Sequence, residues 1–576
     1  MKTLGLQITL ALVLVLILIG CEQHAAEQEG PEEVIVRNDE VDQEVETTAE
    51  PVTADQPAPL ILNDEITATK ALQYAARQRM AEAVPPSPLQ PGYNEETYQR
   101  IVENAFKKAE DHPLSTFSID VDAASYSNIR RFIRQGWAPQ KDAVRIEEMI
   151  NYFVYDYPEP DGEHPFSITT EVGAAPWNPA HQLVHIGLQG QRMRSDEQPA
   201  NNLVFLLDVS GSMSAEDKLP LLKKALHMLV GELTERDRVA IAVYAGAAGL
   251  VLPSTPGDQK EEIFGALDRL SAGGSTAGAA GIRLAYEVAR KNFIEGGNNR
   301  VILATDGDFN VGVSNNADLV RMIEEKRDEG TFLTVLGFGT GNLKDARMEQ
   351  IADHGNGNYY YIDGELEAKK VLVTDLRGTL FTIAKDVKIQ VEFNPVLVAS
   401  YRLIGYENRL LADEDFDDDT KDAGELGSGH TVTALYEVIP VGAPTTTAVR
   451  DRGDLKYQDN TLTQAAYASG ELMTVKLRYK APDGDTSRLI ERVVRHPAPD
   501  RQAAADNFYF SAAVAEFGMI LRDSEHKGTA TLDQVLALAR DALGDDREGY
   551  RAEFIRLVED YQEIVGDGET VSEVRR

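Results

Sequence analysis

Cysteine and basic residues are both scarce in this chain of 576 residues. A single cysteine means that no disulfide can form within the chain. The 57 Lys and Arg residues are outnumbered by 94 Asp and Glu residues, which gives a net charge of −37. Because a nucleic-acid backbone is bound by basic surface, this charge argues against a nucleic-acid partner.

Common catalytic patterns are missing as well. The chain has no H-E-x-x-H zinc pattern, no G-x-x-x-x-G-K-[ST] phosphate loop and no G-x-S-x-G nucleophile elbow. The sequence therefore favours a protein that is not an enzyme. With 576 residues the chain is too long for one hydrophobic core, so we expect two or three folded units.

The first twenty residues differ from globular sequence. Lys2 is followed by an almost unbroken apolar run that ends at Cys21. The tetrapeptide Leu18-Ile19-Gly20-Cys21 resembles the bacterial lipobox, in which the signal peptide is cut before a cysteine that is then lipidated. We predict a lipoprotein signal peptide over residues 1–20, lipidation at Cys21 and attachment to a membrane. A plain signal peptide and an uncleaved anchor are the alternatives.

These features predict a lipid-anchored protein of the cell envelope. Glu22 follows the cysteine, where an aspartate would be the signal for retention at the inner membrane of a Gram-negative cell. The outer membrane is therefore the favoured location in such a cell.

Composition then divides the region before the first regular domain. Residues 22–65 contain fourteen acidic residues, one basic residue and no aromatic residue, so we predict a disordered acidic tether over residues 21–65. Residues 66–113 carry helical patterns, including one over roughly 95–110, and form a predicted helical linker. Residues 114–195 mix short strands and helices, which indicates a small α+β domain.

Regular alternation of apolar strands and helices begins at about residue 198. Continuous apolar strands separated by helices predict an α/β fold with a doubly wound parallel sheet over residues 198–384. Residues 385–570 then read as a β-rich segment followed by helices. Ligands of doubly wound sheets bind in the crevice at the carboxyl ends of the strands.

Three separated stretches bring side-chain oxygens to this crevice. The first is D-x-S-x-S at the end of a strand, the second is the glycine-rich loop Gly273–Ile282, and the third is the "ATDGDFN" stretch. Hydroxyl and carboxylate oxygens are hard ligands that suit Mg²⁺, Ca²⁺ or Mn²⁺. Turn chemistry explains each stretch alone, but their order at successive strand ends favours a metal site. The candidate ligands are Asp208, Ser210, Ser212, Thr276 and Asp306.

This constellation resembles the metal-ion-dependent adhesion site (MIDAS) of von Willebrand factor type A (VWA) domains. The resemblance covers about Asn202–Thr382. It implies that the two serines and Thr276 contact the ion, while Asp208 and Asp306 bind it directly or through water. An acidic residue of a partner protein would complete the coordination shell. Mg²⁺ is the expected cofactor, with Ca²⁺ or Mn²⁺ as alternatives.

One position departs from the pattern of this family. Ser275 stands before Thr276, where many relatives have threonine directly after the glycines. Thr276 is preferred because its spacing to Ile282 fits the helix register of the family, and Ser275 remains the alternative.

The flanks of the A domain resemble known segments too. The stretches "STFSIDVDAASYSNIRRF", "RIEEMINYF" and "DDTKDAGELGSGHTVTALYE" are similar to regions around the A domain in a family of bacterial lipoproteins. The resemblance implies a von Willebrand-type region before the A domain and an uncharacterised domain after it.

Two acidic stretches mimic metal loops. We interpret "DVDAASYS" as a strand end followed by a helix whose N-cap is Ser125. The run Asp413–Glu425 fails the EF-hand register and is interpreted as a solvated acidic loop.

The combined prediction is a lipid-anchored envelope protein that binds a partner protein through a divalent cation. A metal-independent envelope scaffold is the alternative, and a metal-dependent hydrolase is less favoured because no general base is evident near the loops. The oligomeric state is left open.

Overall fold

The computed structural model describes residues 96–194, 198–274, 278–307, 316–340, 343–375, 381–445, 447, 449, 461–495 and 506–574. All of them belong to one compact unit, Pro88–Arg576. The predicted signal peptide with Cys21, the acidic tether and the linker before residue 96 lie outside the described residues.

The described strands are, in chain order, β1 (Lys107–Lys108), β2 (Leu114–Ser118), β3 (Phe166–Ala175), β4 (Asn178–Gly190), β5 (Asn201–Asp208), β6 (Arg238–Tyr244), β7 (Ala248–Pro256), β8 (Asn298–Thr305), β9 (Thr331–Phe338), β10 (Tyr359–Ile362), β11 (Thr382–Phe393), β12 (Val398–Ile404), β13 (Gly424–Gly427), β14 (Thr431–Pro440), β15 (Glu471–Lys480) and β16 (Ser487–Arg495).

The described α-helices are α1 (Ala124–Arg134), α2 (Ile146–Asn151), α3 (Leu219–Glu232), α4 (Lys260–Asp268), α5 (Gly278–Lys291), α6 (Asn316–Asp328), α7 (Asp345–His354), α8 (Glu365–Lys369), α9 (Gln464–Ala468), α10 (Asp506–Arg522), α11 (Leu532–Asp541) and α12 (Tyr550–Val574). A π-helical turn over Lys370–Asp375 continues α8. None of the helices within these ranges has the length and apolar character that a membrane crossing requires.

A six-stranded sheet forms the middle of the chain, in the order β10-β9-β8-β5-β6-β7. Its strands are parallel except for the last pair, where β7 runs antiparallel to β6. Every residue of β5 is buried because helices cover both faces of the sheet. Phe205 packs with α3 and α4 on one face, and Leu206 packs with α5, α6 and α7 on the other. The predicted doubly wound α/β sheet is confirmed.

The segments before and after this sheet fold together into two antiparallel sheets. One has the order β1-β12-β14-β4-β3, and in the other, β13-β11-β15-β16, strand β2 also pairs with β11. Strand β4 precedes the parallel sheet in the chain, yet it pairs with β14, which follows it. The apolar faces of the two antiparallel sheets contribute to one shared core. The flanking regions therefore complete each other's sheets.

A helical cluster of the same mixed origin packs beside these sheets. Helices α1 and α2 come from the chain before the parallel sheet, and α10, α11 and α12 come from its end. Trp177 is fully buried in this cluster. The predicted order of a β-rich segment followed by helices is confirmed for the C-terminal region.

The helix predicted over roughly 95–110 is not formed in the described residues. Residues 96–106 have no regular secondary structure, and β1 follows them. The Asn104 side-chain amide donates to the carbonyl oxygens of Leu403 at 3.2 Å and Gly405 at 2.8 Å. Phe106 packs edge-on against His181 and His526. These tertiary contacts outweigh the local helical pattern.

The predicted N-cap role of Ser125 is also wrong. Helix α1 begins at Ala124, so Ser125 lies inside its first turn. The Ser125 backbone N–H donates to Glu148 Oε2 at 2.7 Å, and its hydroxyl donates to the Ala143 carbonyl at 2.7 Å. The Glu148 carboxylate, from α2, therefore accepts a hydrogen bond from an N–H group in the first turn of α1. The sequence had predicted that an N-cap residue of α1 itself would accept such a bond.

The acidic run around Asp413–Asp422 has exposed acidic side chains, as the interpretation of a solvated loop implies, and it also contacts basic side chains of the protein. Lys388 Nζ donates to the Asp415 carbonyl at 3.0 Å and also to the Asp418 carbonyl. Arg327 pairs with Asp422 at 2.6 Å, and Arg478 pairs with Asp417. Basic side chains outside the run therefore supply the countercharge.

Candidate metal centre

The topology brings two of the predicted metal ligands to one edge of the parallel sheet. Asp208 is the last residue of β5, and Asp306 directly follows β8. The two strands are parallel neighbours, with Leu207 opposite Ala304. Both carboxylates are buried, at 0% and 1% exposure. The site is therefore in the strand-end crevice that the alternating pattern predicted.

The turn after β5 positions the two serines. The Ser210 backbone N–H donates to Asp208 Oδ1 at 2.8 Å, which orients the carboxylate. The hydroxyl oxygens of Ser210 and Ser212 lie 3.0 Å apart. Ser210 is buried and Ser212 is exposed, so the pair runs from the interior toward solvent.

The glycine-rich loop is joined to this turn through its backbone. Gly273 donates to the Val209 carbonyl at 2.8 Å, and Gly211 donates to the Gly274 carbonyl at 3.1 Å. Gly274 has φ +90°, a left-handed conformation that favours glycine. The next residues, Ser275 and Thr276, lie outside the described residues, so their assignment stays a prediction.

The environment of Asp208 disfavours an uncompensated negative charge. Burial raises the pKa of Asp208, and the nearby Asp306 carboxylate raises it further. Hydrogen bonds from Ser210 and from the Tyr244 hydroxyl act in the opposite direction and lower this pKa. Asp208 Oδ2 is buried. A cation at this oxygen would stabilise the charged form.

Lys218 is a member of the site that sequence reasoning missed. Its Nζ donates to Asp306 Oδ2 at 2.9 Å, and the lysine side chain is buried. Lys218 is the residue at the N-cap of α3, where the helix dipole disfavours a positive charge. That unfavourable placement is the sequence signal that could have identified it.

The donor set fits a hard divalent cation. Asp208 and Asp306 offer carboxylate oxygens, and the serine pair offers hydroxyl oxygens. Within the part of the chain that the structure describes, no group of three His, Cys, Asp or Glu residues is placed to hold a metal. An ion at this edge would therefore depend on hydroxyl oxygens, on water and on a ligand from outside the chain.

Three family profiles match consecutive parts of the chain. Residues 92–185 match "von Willebrand factor", and residues 202–374 match "von Willebrand factor type A domain". Residues 378–564 match "Uncharacterized protein YfbK, C-terminal". The order agrees with the predicted sequence of regions around an A domain.

Individual relatives cover different extents of the chain. The uncharacterized protein YfbK of Escherichia coli (strain K12) is 44% identical over 469 residues, which is 80% of this chain and 80% of that protein. The magnesium-chelatase 60 kDa subunit of Cereibacter sphaeroides is 30% identical over 164 residues, 26% of this chain and 28% of that subunit. A solved von Willebrand factor type A structure from Catenulispora acidiphila is 17% identical, covers 69% of this chain and 91% of its own, and has a TM-score of 0.37.

Identity of this level across most of both chains, together with three matched regions in the predicted order, establishes the family. The chain belongs to the YfbK family and carries a von Willebrand factor type A domain at its centre.

Proposed function

We propose that this protein is a lipid-anchored component of the cell envelope whose A domain binds a partner protein through a divalent cation. The ion would be held by Asp208, Ser210, Ser212 and Asp306, with Thr276 from the glycine-rich loop. The observation that carries this proposal is the pair of buried carboxylates, Asp208 and Asp306, at the ends of two neighbouring parallel strands, with a serine hydroxyl pair in the turn that follows the first strand.

The residues of the chain have distinct tasks in this proposal. The Ser210 N–H orients the Asp208 carboxylate, and the exposed Ser212 hydroxyl marks the side from which a partner approaches. The bound cation supplies a local positive charge that attracts an acidic side chain of the partner. This attraction is needed because a chain with a net charge of −37 otherwise repels acidic surfaces.

Mg²⁺ is the ion to test first. Oxygen-only donor sets suit Mg²⁺, which commonly retains waters and accepts an external carboxylate. A magnesium-chelatase subunit is among the similar proteins, which supports the choice of ion and keeps a metal-dependent enzymatic role as an alternative. The sequence shows no complete catalytic motif, so binding is the function that we propose.

Calorimetric titration of the detergent-extracted full chain with Mg²⁺ tests the site. We expect saturable binding by the wild type and a loss of at least about tenfold in affinity for Asp208→Ala, because one charged ligand is removed. Glu216→Gln is the matched control, since Glu216 is an exposed acid of the same loop. Equal Mg²⁺ binding by the wild type and Asp208→Ala would contradict the proposal.

A metal-independent scaffold is the second candidate function. The observation that favours it is the set of buried ion pairs between the A domain and the flanking helices, such as Arg145 with Asp345 at 2.6 Å. Crosslinking in native envelopes, with and without chelator, separates the two functions. Crosslinks that survive both chelator and Asp306→Ala would support the scaffold.

The membrane attachment is tested separately. Cys21→Ser removes the predicted lipidation site. In cells given radiolabelled palmitate, we expect the wild type to be labelled and the variant not to be, and we expect the variant to retain the apolar segment before residue 21. Normal labelling of the Cys21→Ser variant would rule out a lipid at this cysteine.

A further inference from the structure

The Lys218 ammonium lies at the cation site itself. Its Nζ is 2.9 Å from Asp306 Oδ2, and both side chains are shielded from solvent. The pair is formed by groups 88 positions apart in the chain, so it is a product of the tertiary fold. The positive charge of this buried ammonium therefore compensates the negative charge of Asp306, a predicted metal ligand.

The residue after strand β9 is a glycine, and the absence of a side chain there leaves room for the Lys218 side chain. Gly339 follows β9, and a Cβ atom built on it would lie 2.2 Å from Lys218 Cε and 2.5 Å from Cγ. Gly339 also has φ +71°, and the Tyr361 hydroxyl donates to its carbonyl at 2.6 Å. Any larger residue at position 339 would occupy the path of the lysine side chain.

The two carboxylates of the site explain why a positive charge is held there. Asp208 ends β5 and Asp306 follows the neighbouring parallel strand β8, so the two buried carboxylates share one strand edge and repel each other when both are ionised. An ion pair to Asp306 reduces this repulsion without any bound metal. A divalent cation would make the same contribution, and two positive charges close together would repel each other.

We propose that Lys218 is an internal competitor of the divalent cation. Its ammonium and the metal compete for Asp306, so Lys218 sets a lower metal affinity than the oxygen ligands alone would give. The lysine also stabilises the fold when the metal is removed. The inference rests on the metal site proposed above and concerns the strength with which that site is loaded.

Lys218→Met tests the competition, because methionine keeps the apolar path and removes the charge. In calorimetric titration of the full chain with Mg²⁺, we expect Lys218→Met to bind at least about tenfold more tightly than the wild type. In EDTA its melting temperature is expected to fall below that of the wild type, and saturating Mg²⁺ should remove most of this difference. The thermal measurement does not depend on any partner.

Two matched variants control for charge and for folding. Lys218→Arg retains the positive charge and should keep the weaker binding. Lys224→Met removes a positive charge from the exposed side of α3 and should leave the affinity unchanged. Gly339→Ala places a methyl group on the lysine path and should tighten Mg²⁺ binding as Lys218→Met does. In the Lys218→Met background, the same alanine should have no further effect on affinity.

The outcomes distinguish this inference from the proposed function. If the wild type and all variants fail to bind Mg²⁺, the metal site itself is refuted. If the wild type binds and Lys218→Met binds equally or more weakly, the site stands and the competition is refuted. If Lys218→Met does not fold, Gly339→Ala decides the question, and unchanged affinity in that variant overturns the inference.

Discussion

At the residue scale, Glu516 is a carboxyl group placed where its charge is unfavourable. It lies in α10 and is fully buried in the helical cluster. Burial raises the pKa of Glu516 to about 7, and the backbone amide of Thr531 opposes this only in part. Between the unfolded pKa near 4.3 and this higher value, the folded protein holds a proton that the unfolded chain has released. The stability from this group is therefore present at low pH and lost as the pH rises toward 7.

Glu516→Gln should remove this dependence because glutamine stays neutral. We expect the variant to be more stable than the wild type by about 3–4 kcal/mol at pH 8 and nearly equal to it at pH 4. Urea unfolding at the two pH values measures the difference. Glu525→Gln is the control, since Glu525 is exposed nearby in the chain. A difference that is the same at both pH values would contradict the assignment.

At the candidate metal site, the positions of some residues could be predicted from the sequence and those of others could not. The positions of Asp208 and Asp306 at one strand edge were predictable, because Asp208 ends an apolar strand and Asp306 directly follows one. Lys218 was not selected, because its partner Asp306 is remote in the chain and only the fold joins them. Periodicity reports which side chains share an element, and it carries no information on a pair of this kind.

At the element scale, helix α1 connects the flanking region to the A domain. Arg130 is 1% exposed and pairs with Asp363 at 2.5 Å and with Glu367 at 2.7 Å. Both acids lie at the end of the A domain, after β10 and in α8. Arg130 also donates to the Tyr152 hydroxyl at 2.9 Å. One guanidinium thus neutralises two buried carboxylates of a different region.

Arg130→Met is expected to destabilise the protein by about 3–5 kcal/mol, since it leaves buried carboxylates without their countercharge. Arg134→Met is the matched control on the same helix. Arg134 is half exposed, so its loss should cost about 1 kcal/mol or less. Urea unfolding measures the free energy of unfolding of both variants. Equal losses of stability would contradict the prediction that the buried ion pairs of Arg130 contribute more than those of the exposed Arg134.

The sequence predicted whether a segment forms a helix or a strand better than it predicted which segments contact each other in the fold. The alternating pattern predicts helices between the strands of the parallel sheet, and the structure has α3 at Leu219–Glu232 between β5 and β6. Strand β7 does not fit the pattern of continuous apolar strands, because it is an edge strand with an irregular, partly exposed pattern. The helix predicted over roughly 95–110 was wrong for a different reason. A helical pattern is present there, but tertiary contacts such as those of Asn104 override it.

At the scale of the whole molecule, the A domain is inserted between two segments that need each other. Strand β4 pairs with β14 along one of its edges, and β2 pairs with β11. The parallel sheet, by contrast, draws all six of its strands from residues 201–362. The flanking regions are therefore interdependent, while the sheet of the A domain is self-contained.

Truncation distinguishes these two kinds of unit. A chain that ends after residue 384 lacks β14 and most of β11, so β4 keeps only β3 as a partner, β2 loses its partner strand, and we expect the exposed strand edges to cause aggregation. Residues 198–384 alone keep all six strands of the parallel sheet and should remain soluble with α/β circular dichroism. Size-exclusion chromatography of both fragments is the measurement. A monodisperse longer fragment would contradict the interdependence of the flanks.

Local pattern was sufficient to determine the α/β core and the strand ends that carry Asp208 and Asp306, because hydrophobic periodicity and strand termini are encoded by neighbouring residues. The tertiary structure decided that β4 pairs with β14, that Arg130 neutralises acids of the A domain, and that Lys218 reaches Asp306. Each of these contacts joins residues dozens to hundreds of positions apart. Such contacts depend on the packing of complete sheets and helices, which no short window of sequence contains.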